Sequence, residues 1–317
     1  MPEPLVSVLV PVLDVAGLLP RCLDSLLAQT HRPLEIIVVN DGSADASSDV
    51  IEHYAARHAE VRVIHQEHRG VGPARNAALA VAGGEYVAMV DADDWVEPGF
   101  VADTVRIAGE TGADVVVTSF WFNALGVSLR FPFAARERTL AGLEAAKLSL
   151  DLARFPAFAW NKLYRRDLFL PGEAPFPNIF YEDLATTPRL LARATTVAQT
   201  RRAYYHYCLR SDSITGDFGP RNVFAFAASL AILRTELQEL GLWDAWYPAY
   251  RKLLRDARVM MTIQVLLQRN RIPFRSRGPL LARFGRHLRA LAEPRPGAVT
   301  AAAGRAAGES PAVSGVA

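Results

Sequence analysis

The stretch Glu85–Glu97, EYVAMVDADDWVE, carries the clearest chemistry in the chain. Its apolar residues Tyr86 to Val90 read as a strand covered on both faces, and they stop abruptly at Asp91, Asp93 and Asp94. Carboxylates this close repel one another and stay ionised only where water, an arginine or a cation compensates them. Hard divalent cations bind such oxygens, and Mg²⁺ in particular shares one or two carboxylates with substrate phosphates. Taken alone, the cluster also fits a solvated acidic turn, and Asp94 alone also fits a helix N-cap. A second acidic pair, Glu182 and Asp183, opens a helical pattern through Leu184, Pro188 and Leu191, where a helix N-terminus favours ionised carboxylates. Without further context these are equally ordinary first-turn acids. Arg75 offers a planar fork of donors suited to carboxylates or phosphates, and it also fits a surface arginine.

The elements that must position these groups follow an alternating pattern. Leu5 to Val10 is a compact strand closed by Pro11, and Leu18 to Gln29 carries the apolar stripe of a helix laid on a sheet. Ile36 to Val39 is a second core strand. It ends in the turn cluster Asn40-Asp41-Gly42-Ser43, which places Asp41 at the strand's C-terminal edge. A helix over 46–58, a strand over 61–64, a Gly-punctuated loop over 69–73 and a small-residue helix from Ala74 lead into the strand before Asp91. Strands alternating with short helices predict an α/β fold with a doubly wound, mostly parallel sheet, whose ligands bind beyond the carboxyl ends of the strands.

Composition narrows the class. At 317 residues, half of them hydrophobic, the chain is long enough for a large α/β domain with additional elements. Cys22 and Cys208 stand far apart with no zinc-type spacing, which fits a reducing cytoplasm. No secretory leader or membrane-spanning run is apparent, so a soluble or peripheral protein is expected, with no pattern pointing to nucleic acid. The net charge of +2 hides a split: Arg251 to Arg295 holds twelve Arg or Lys against two acids, leaving about −8 elsewhere. That basic run is interleaved with Leu253-Leu254, Leu266-Leu267, Leu280-Leu281 and Phe284. It fits either a membrane-surface segment at the inner face of the membrane or a helical appendage with a solvated basic face. From Pro294 the Ala/Gly/Pro/Ser composition reads as a disordered tail.

Four blocks in order, VSVLVPVLD (Val6 to Asp14), EIIVVNDGSAD (Glu35 to Asp45), GVGPARNAAL (Gly70 to Leu79) and YVAMVDADDW (Tyr86 to Trp95), resemble the family 2 glycosyltransferases of GT-A fold. Two later blocks, Trp160-Asn161-Lys162-Leu163-Tyr164 and Tyr181-Glu182-Asp183-Leu184, resemble the acceptor side of bacterial cell-surface polysaccharide and teichoic-acid glycosyltransferases, extending the likeness to about residue 215. The resemblance implies a Rossmann-like GT-A domain over 1–215, with a donor half to about 100 and an acceptor half from 101. A helical basic region over 216–293 and the tail over 294–317 follow it.

The resemblance also implies roles. Asp93, with Asp91, would hold Mn²⁺ or Mg²⁺ as a Lewis acid on the leaving diphosphate. Asp91 and Ala92 would meet the donor, Asp41 would accept a hydrogen bond from a uracil ring, and Pro11, Val12 and Asp14 would line the base pocket. Leu13 and Asp14 depart from the aromatic residue and Asn usual at those places. Arg75 would hold the diphosphate or the acidic cluster, and His68 would sit on the donor pocket rim. Asp183 would be the base that takes the acceptor hydroxyl proton, with Glu182 as the runner-up. Trp160, Asn161 and Lys162 would offer an aromatic platform and a cation to the acceptor, and His206, Arg210 and Ser213 would lie near the site mouth. Trp160 fits core packing as well. The expected activity is inverting transfer of a sugar from a nucleoside diphosphate, UDP first, to a hydroxyl of a cell-envelope glycan or polyol-phosphate polymer. A lipid-linked or secondary-metabolite acceptor and an inactive glycan- or nucleotide-binding relative are the competing readings. A nucleotidyltransferase would need a Gly-rich basic loop after the first strand, which Pro11-Val12-Leu13-Asp14 lacks.

Overall fold

The computed structural model describes residues 2–124, 126–131, 137–152, 157–209, 218–267 and 272–293. Arg210, Ser213 and the stretch from 294 onward lie outside these residues.

The valine-rich runs become strands because their residues are covered on both faces. β1 (Val6–Val12), β2 (Leu34–Asn40), β3 (Val61–His65) and β4 (Tyr86–Met89) form a parallel block in the spatial order β3-β2-β1-β4. Their crossovers are α1 (Leu19–Leu27), α2 (Ser47–Ala55) and α3 (Val71–Val81). After β4 come β5 (Trp95–Val96), α4 (Phe100–Thr111), β6 (Val115–Ala124), β7 (Val127–Phe131), β8 (Arg138–Ala141), α5 (Gly142–Leu148), β9 (Lys162–Arg165), α6 (Glu182–Arg193) and β10 (Thr196–Cys208). The sheet continues β4-β9-β6-β10-β5, with β7 on β6 and β8 on β10. β6 and β10 run in the direction of the first four strands, so the central sheet is mostly parallel, while β9 is inserted antiparallel between β4 and β6. Three long helices, α7 (Pro220–Glu239), α8 (Trp243–Leu267) and α9 (Phe274–Ala292), complete the described chain.

Strand alternation splits the core in two. Val6, Val8, Val10 and Val12 of β1 pack against α1, α2 and α4 on one face of the sheet. Leu9 faces the other side, where α3, α5, α6 and the three C-terminal helices build a second continuous core. The basic C-terminal region therefore shares a core with α3, α5 and α6. No described helix is long and apolar enough to cross a membrane.

Because β1, β2 and β4 are parallel, Asp14, Asp41 and Asp91 follow the ends of three strands at one edge. β9 runs the other way, so its first residue, Lys162, paired with Val117, starts at that same edge. The C-terminal part of β10, where His206 pairs with Trp95, arrives there too.

Candidate active site

Arg75 is the hub. It sits in the second turn of α3, 3% exposed, with Nη2 donating to Asp91 Oδ1 at 2.7 Å and Nη1 donating to Glu182. Burial opposes its charge, but Asp91 and Glu182 outweigh that and hold the guanidinium more firmly protonated than usual. Its buried Nε has no hydrogen-bond partner among the described residues. The neighbouring Asn76 donates to Phe176 O at 2.8 Å and accepts from Phe176 N at 3.1 Å. The Arg-Asn pair of GVGPARN thus ties the acidic strand end to the segment before α6. Two glycines permit this approach. Gly70 takes φ +97°, and a Cβ on Gly72 would lie 2.2 Å from Pro177 O, so only glycine lets the start of α3 press on that segment.

The three acids after β4 face different ways. Asp94 is 1% exposed and turned inward, accepting from Tyr205 Oη at 2.7 Å and from Cys208 N at 2.7 Å. Burial first, then Asp93 and Asp91, push its carboxyl well above the usual range. Asp94 is therefore neither a helix cap nor an open metal ligand; it fastens the acidic loop to β10. Tyr205 Oη also accepts from Asp91 N at 3.1 Å. Asp91 and Asp93 are half-buried and belong to the open side. Arg21 of α1 donates to Asp93 O at 3.2 Å. The thiol of Cys22 is raised by burial and then by Asp94, Asp93 and Asp91, which marks a negative potential that Arg21 offsets only in part. Two neighbouring carboxylates in such a field fit Mg²⁺ or Mn²⁺ that takes its remaining ligands from phosphate and water. Among the described residues no cluster of three or more His, Cys, Asp or Glu could hold a metal by itself.

Asp183 follows Glu182, half-buried at the start of α6. Its Oδ1 accepts from Leu184 N at 2.8 Å. Burial raises its carboxyl to about 6, against the lowering influence of Arg75 and Lys162. Glu182, 5% exposed, is also raised by burial, but its carboxylate is engaged with Arg75. The residue before them, Tyr181, holds φ +63°, is packed edge-on against Phe226 at 5.1 Å and has its carbonyl bound by Ser229 Oγ. α7 therefore fixes the turn that aims the two acids.

Several expected contacts are placed elsewhere. Trp160 is 5% exposed and stacked on Tyr205 at 4.4 Å and Phe158 at 4.7 Å, so it packs the core and offers no open platform. Asn161 and Lys162 are fully buried, with Lys162 Nζ donating to Asn161 Oδ1 at 2.8 Å and to Phe158 O. Burial pushes the Lys162 ammonium down to about 7, and Asp183 works against that shift. His206 is clamped flat on Trp95 at 3.5 Å, with Nε2 2.8 Å from Glu97, and burial lowers its pKa. All four are buried and engaged with neighbouring residues in this structure.

On the donor side, Asp41 is 2% exposed and accepts from Gln66 Nε2, Arg69 N and Gly70 N, with His68 Nδ1 2.9 Å away. All four lone-pair directions are engaged, so a base reaches this carboxylate only if Gln66 or His68 moves. The His68 side chain is 59% exposed on the rim. Asp14, at φ +49°, accepts from Ala44 N at 2.6 Å and Asp45 N at 3.3 Å and so anchors the loop after β2. Pro11 is partly exposed at the edge, while Val12 and Ala92 are buried beneath it. Sequence reasoning passed over Tyr205, Arg21 and Gln66. Only Tyr205 left a signal, as one of the alternating aromatics of YYHYC.

The model of Glycosyl transferase family 2 matches residues 7–170, more than half of the chain. This chain belongs to glycosyltransferase family 2. EpsH of Bacillus subtilis (strain 168), whose name places it among the glycosyltransferases, is 34% identical over 241 residues, spanning 74% of this chain and 69% of EpsH. S. aureus TarS 1–349 in complex with UDP-GlcNAc superposes with TM-score 0.59 at 20% identity, covering 90% of both chains. The mannosyltransferase PcManGT from Pyrobaculum calidifontis, in complex with GDP-Man and Mn²⁺, gives TM-score 0.53 at 19% identity over 92% of this chain and 86% of that one. These two likenesses are of fold. As a family 2 member the chain is a glycosyltransferase, and its central sheet and C-terminal helices agree with the GT-A architecture of those neighbours.

Proposed function

We propose that this glycosyltransferase moves a sugar from a UDP-sugar to a hydroxyl of a cell-envelope glycan or polyol-phosphate polymer, inverting the anomeric centre. The observation that carries the reading is the buried Arg75, which joins a half-buried carboxylate at the donor edge, Asp91, to the acidic start of α6. Asp183 is the group left for the base, because Glu182 is committed to Arg75. In the reaction the acceptor oxygen attacks the anomeric carbon as its bond to the diphosphate breaks. The hydroxyl proton goes to the Asp183 carboxylate, and the bonding pair leaves with the nucleoside diphosphate. Asp91 and Asp93 would hold Mn²⁺ or Mg²⁺, which when bound supplies Lewis-acid stabilisation of the leaving charge. Arg75 holds the Asp91 carboxylate in place through the Nη2 hydrogen bond. Asp94 and Tyr205 hold the acidic loop at fixed height over the sheet edge. TarS binds UDP-GlcNAc on a similar fold, which supports a nucleotide-sugar donor.

A screen of nucleotide sugars, scored by release of free nucleoside diphosphate with Mn²⁺, Mg²⁺ or chelator, tests this reading. Turnover of a UDP-sugar that chelator abolishes and added metal restores is the expected result. Equal turnover in chelator overturns the metal assignment, and turnover of only GDP-sugars overturns the choice of nucleotide.

A further inference from the structure

One surface is left unexplained by sugar transfer. On α8 the exposed positions Arg251, Arg255, Arg258, Val259, Ile263, Leu266 and Leu267 fall on one helical stripe, basic in its first half and aliphatic at its end. Leu267 is 70% exposed, and Phe274, at the start of α9, is 85% exposed. Large apolar side chains this open at two adjoining helix ends and bordered by arginines point to a binding surface. The sequence contains no Asp or Glu between Ala257 and Ala292, so nothing acidic in that stretch balances the arginines.

The packing of the helices tells where this knuckle points. α8 runs antiparallel to α7, with Tyr250 Oη donating to Leu230 O at 2.8 Å and Arg234 lying over Trp243 at 5.1 Å. α9 runs parallel to α7, with Arg283 over Phe224 at 4.5 Å and Arg234 donating to Ala290 O at 3.1 Å. At 1.5 Å per residue, these pairings carry Leu267 about 10 Å and Phe274 about 5 Å beyond the start of α7. The first half of α7 is the part that holds Tyr181, next to Glu182 and Asp183. The end of α8 and the start of α9 therefore lie at the end of α7 that holds the turn before Glu182 and Asp183.

We infer that the end of α8 and the start of α9 form a membrane-docking surface that buries Leu266, Leu267 and Phe274 in the interface of an anionic bilayer while Arg255, Arg258 and Arg275 meet lipid phosphates. Apolar side chains at the tip with arginines behind them match the two layers of such an interface, hydrocarbon below and charge above. Docked this way, the enzyme holds its acceptor side toward the lipid surface, which suits an acceptor carried on a lipid. That consequence rests on the reading of Asp183 as base; the docking itself does not.

The experiment is co-sedimentation of the full chain with vesicles of phosphatidylcholine alone or mixed with phosphatidylglycerol, at low and high salt. Binding to the anionic vesicles that falls with salt is expected, with none or little to the neutral ones. Arg255→Gln and Arg258→Gln should each weaken partition roughly fivefold. Leu267→Gln with Phe274→Gln should weaken it on the order of tenfold or more at all salt concentrations. UDP binding, measured on the same variants, should stay unchanged, so a failed donor reading and a failed docking surface give different results. Absence of binding to anionic vesicles at low salt overturns the inference. So does a concentration-dependent dimer in sedimentation velocity that Leu267→Gln with Phe274→Gln dissociates, since the surface would then belong to a second copy of the chain.

Discussion

At Asp183, folding and the proposed role as base ask for opposite protonation states. Burial raises its carboxyl to about 6, from an ordinary value near 4. A group raised in the folded state favours folding at low pH, and that contribution is lost as pH rises through about 6. As the proposed base, however, Asp183 would work only above that value. Asp183→Asn keeps the acceptor for Leu184 N and removes the charge. Transfer should drop roughly 10²–10⁴-fold, with UDP affinity held, because the interaction arises in the transition state. The parent enzyme should show an activity limb rising through about pH 6 that the variant lacks. The variant should also melt higher than the parent at pH 7.5, with the two converging below pH 4, as read by calorimetry. If Asp183→Asn transfers at near-normal rate while Glu182→Gln does not, the base is Glu182.

Between elements, the acidic loop after β4 depends on a strand that enters the fold more than a hundred residues later. Asp94 joins that loop to β10 through Tyr205 Oη and Cys208 N. Asp94→Ala leaves the buried Tyr205 hydroxyl with no acceptor for its proton, at about 1–3 kcal/mol, and the part-buried Cys208 amide without its partner. The denaturation midpoint should fall, and metal-dependent UDP binding should weaken with it, although Asp94 touches neither ligand. Unchanged donor binding in a destabilised Asp94→Ala would separate the loop's position from the site. This dependence also explains what was legible in the sequence. The strands β1, β2 and β4, the helix α6 and the placement of Asp91 and Asp183 at their ends come from local periodicity and turn residues. The antiparallel insertion of β9 does not, because Lys162–Arg165 is too short to show a period and its partners lie far away in the chain. For the same reason Trp160 and His206 read as surface candidates: an aromatic or imidazole ring carries no local mark of whether it will be stacked inside a core, and the rings around these two come from β5, β6, β10 and the segment before β9.

For the whole molecule, the question is whether the C-terminal helices are an appendage or part of the fold. Sequence composition separates 216–293 by its charge, yet Phe226, Leu230, Leu233, Trp246, Tyr250 and Leu253 join Leu9, Leu184 and Leu190 in one apolar core. Apart from Arg277, which is buried on α9, the charge of these helices lies on their outer faces; their inner faces complete the layer over α6. Tyr181 shows the functional side of this, since its left-handed backbone is held from α7 by Ser229 and Phe226. A chain ending at residue 217 would expose the apolar face of α6, lose the support of that turn and present a large unpaired hydrophobic surface. It should therefore be insoluble, or bind a hydrophobic dye and melt without a cooperative transition. Removal of 294–317 alone should leave the melting temperature where it was. A 1–217 chain that unfolds cooperatively and binds UDP as tightly as the parent would instead make the three helices a separable domain, and the aiming of Asp183 would have to come from the sheet side alone.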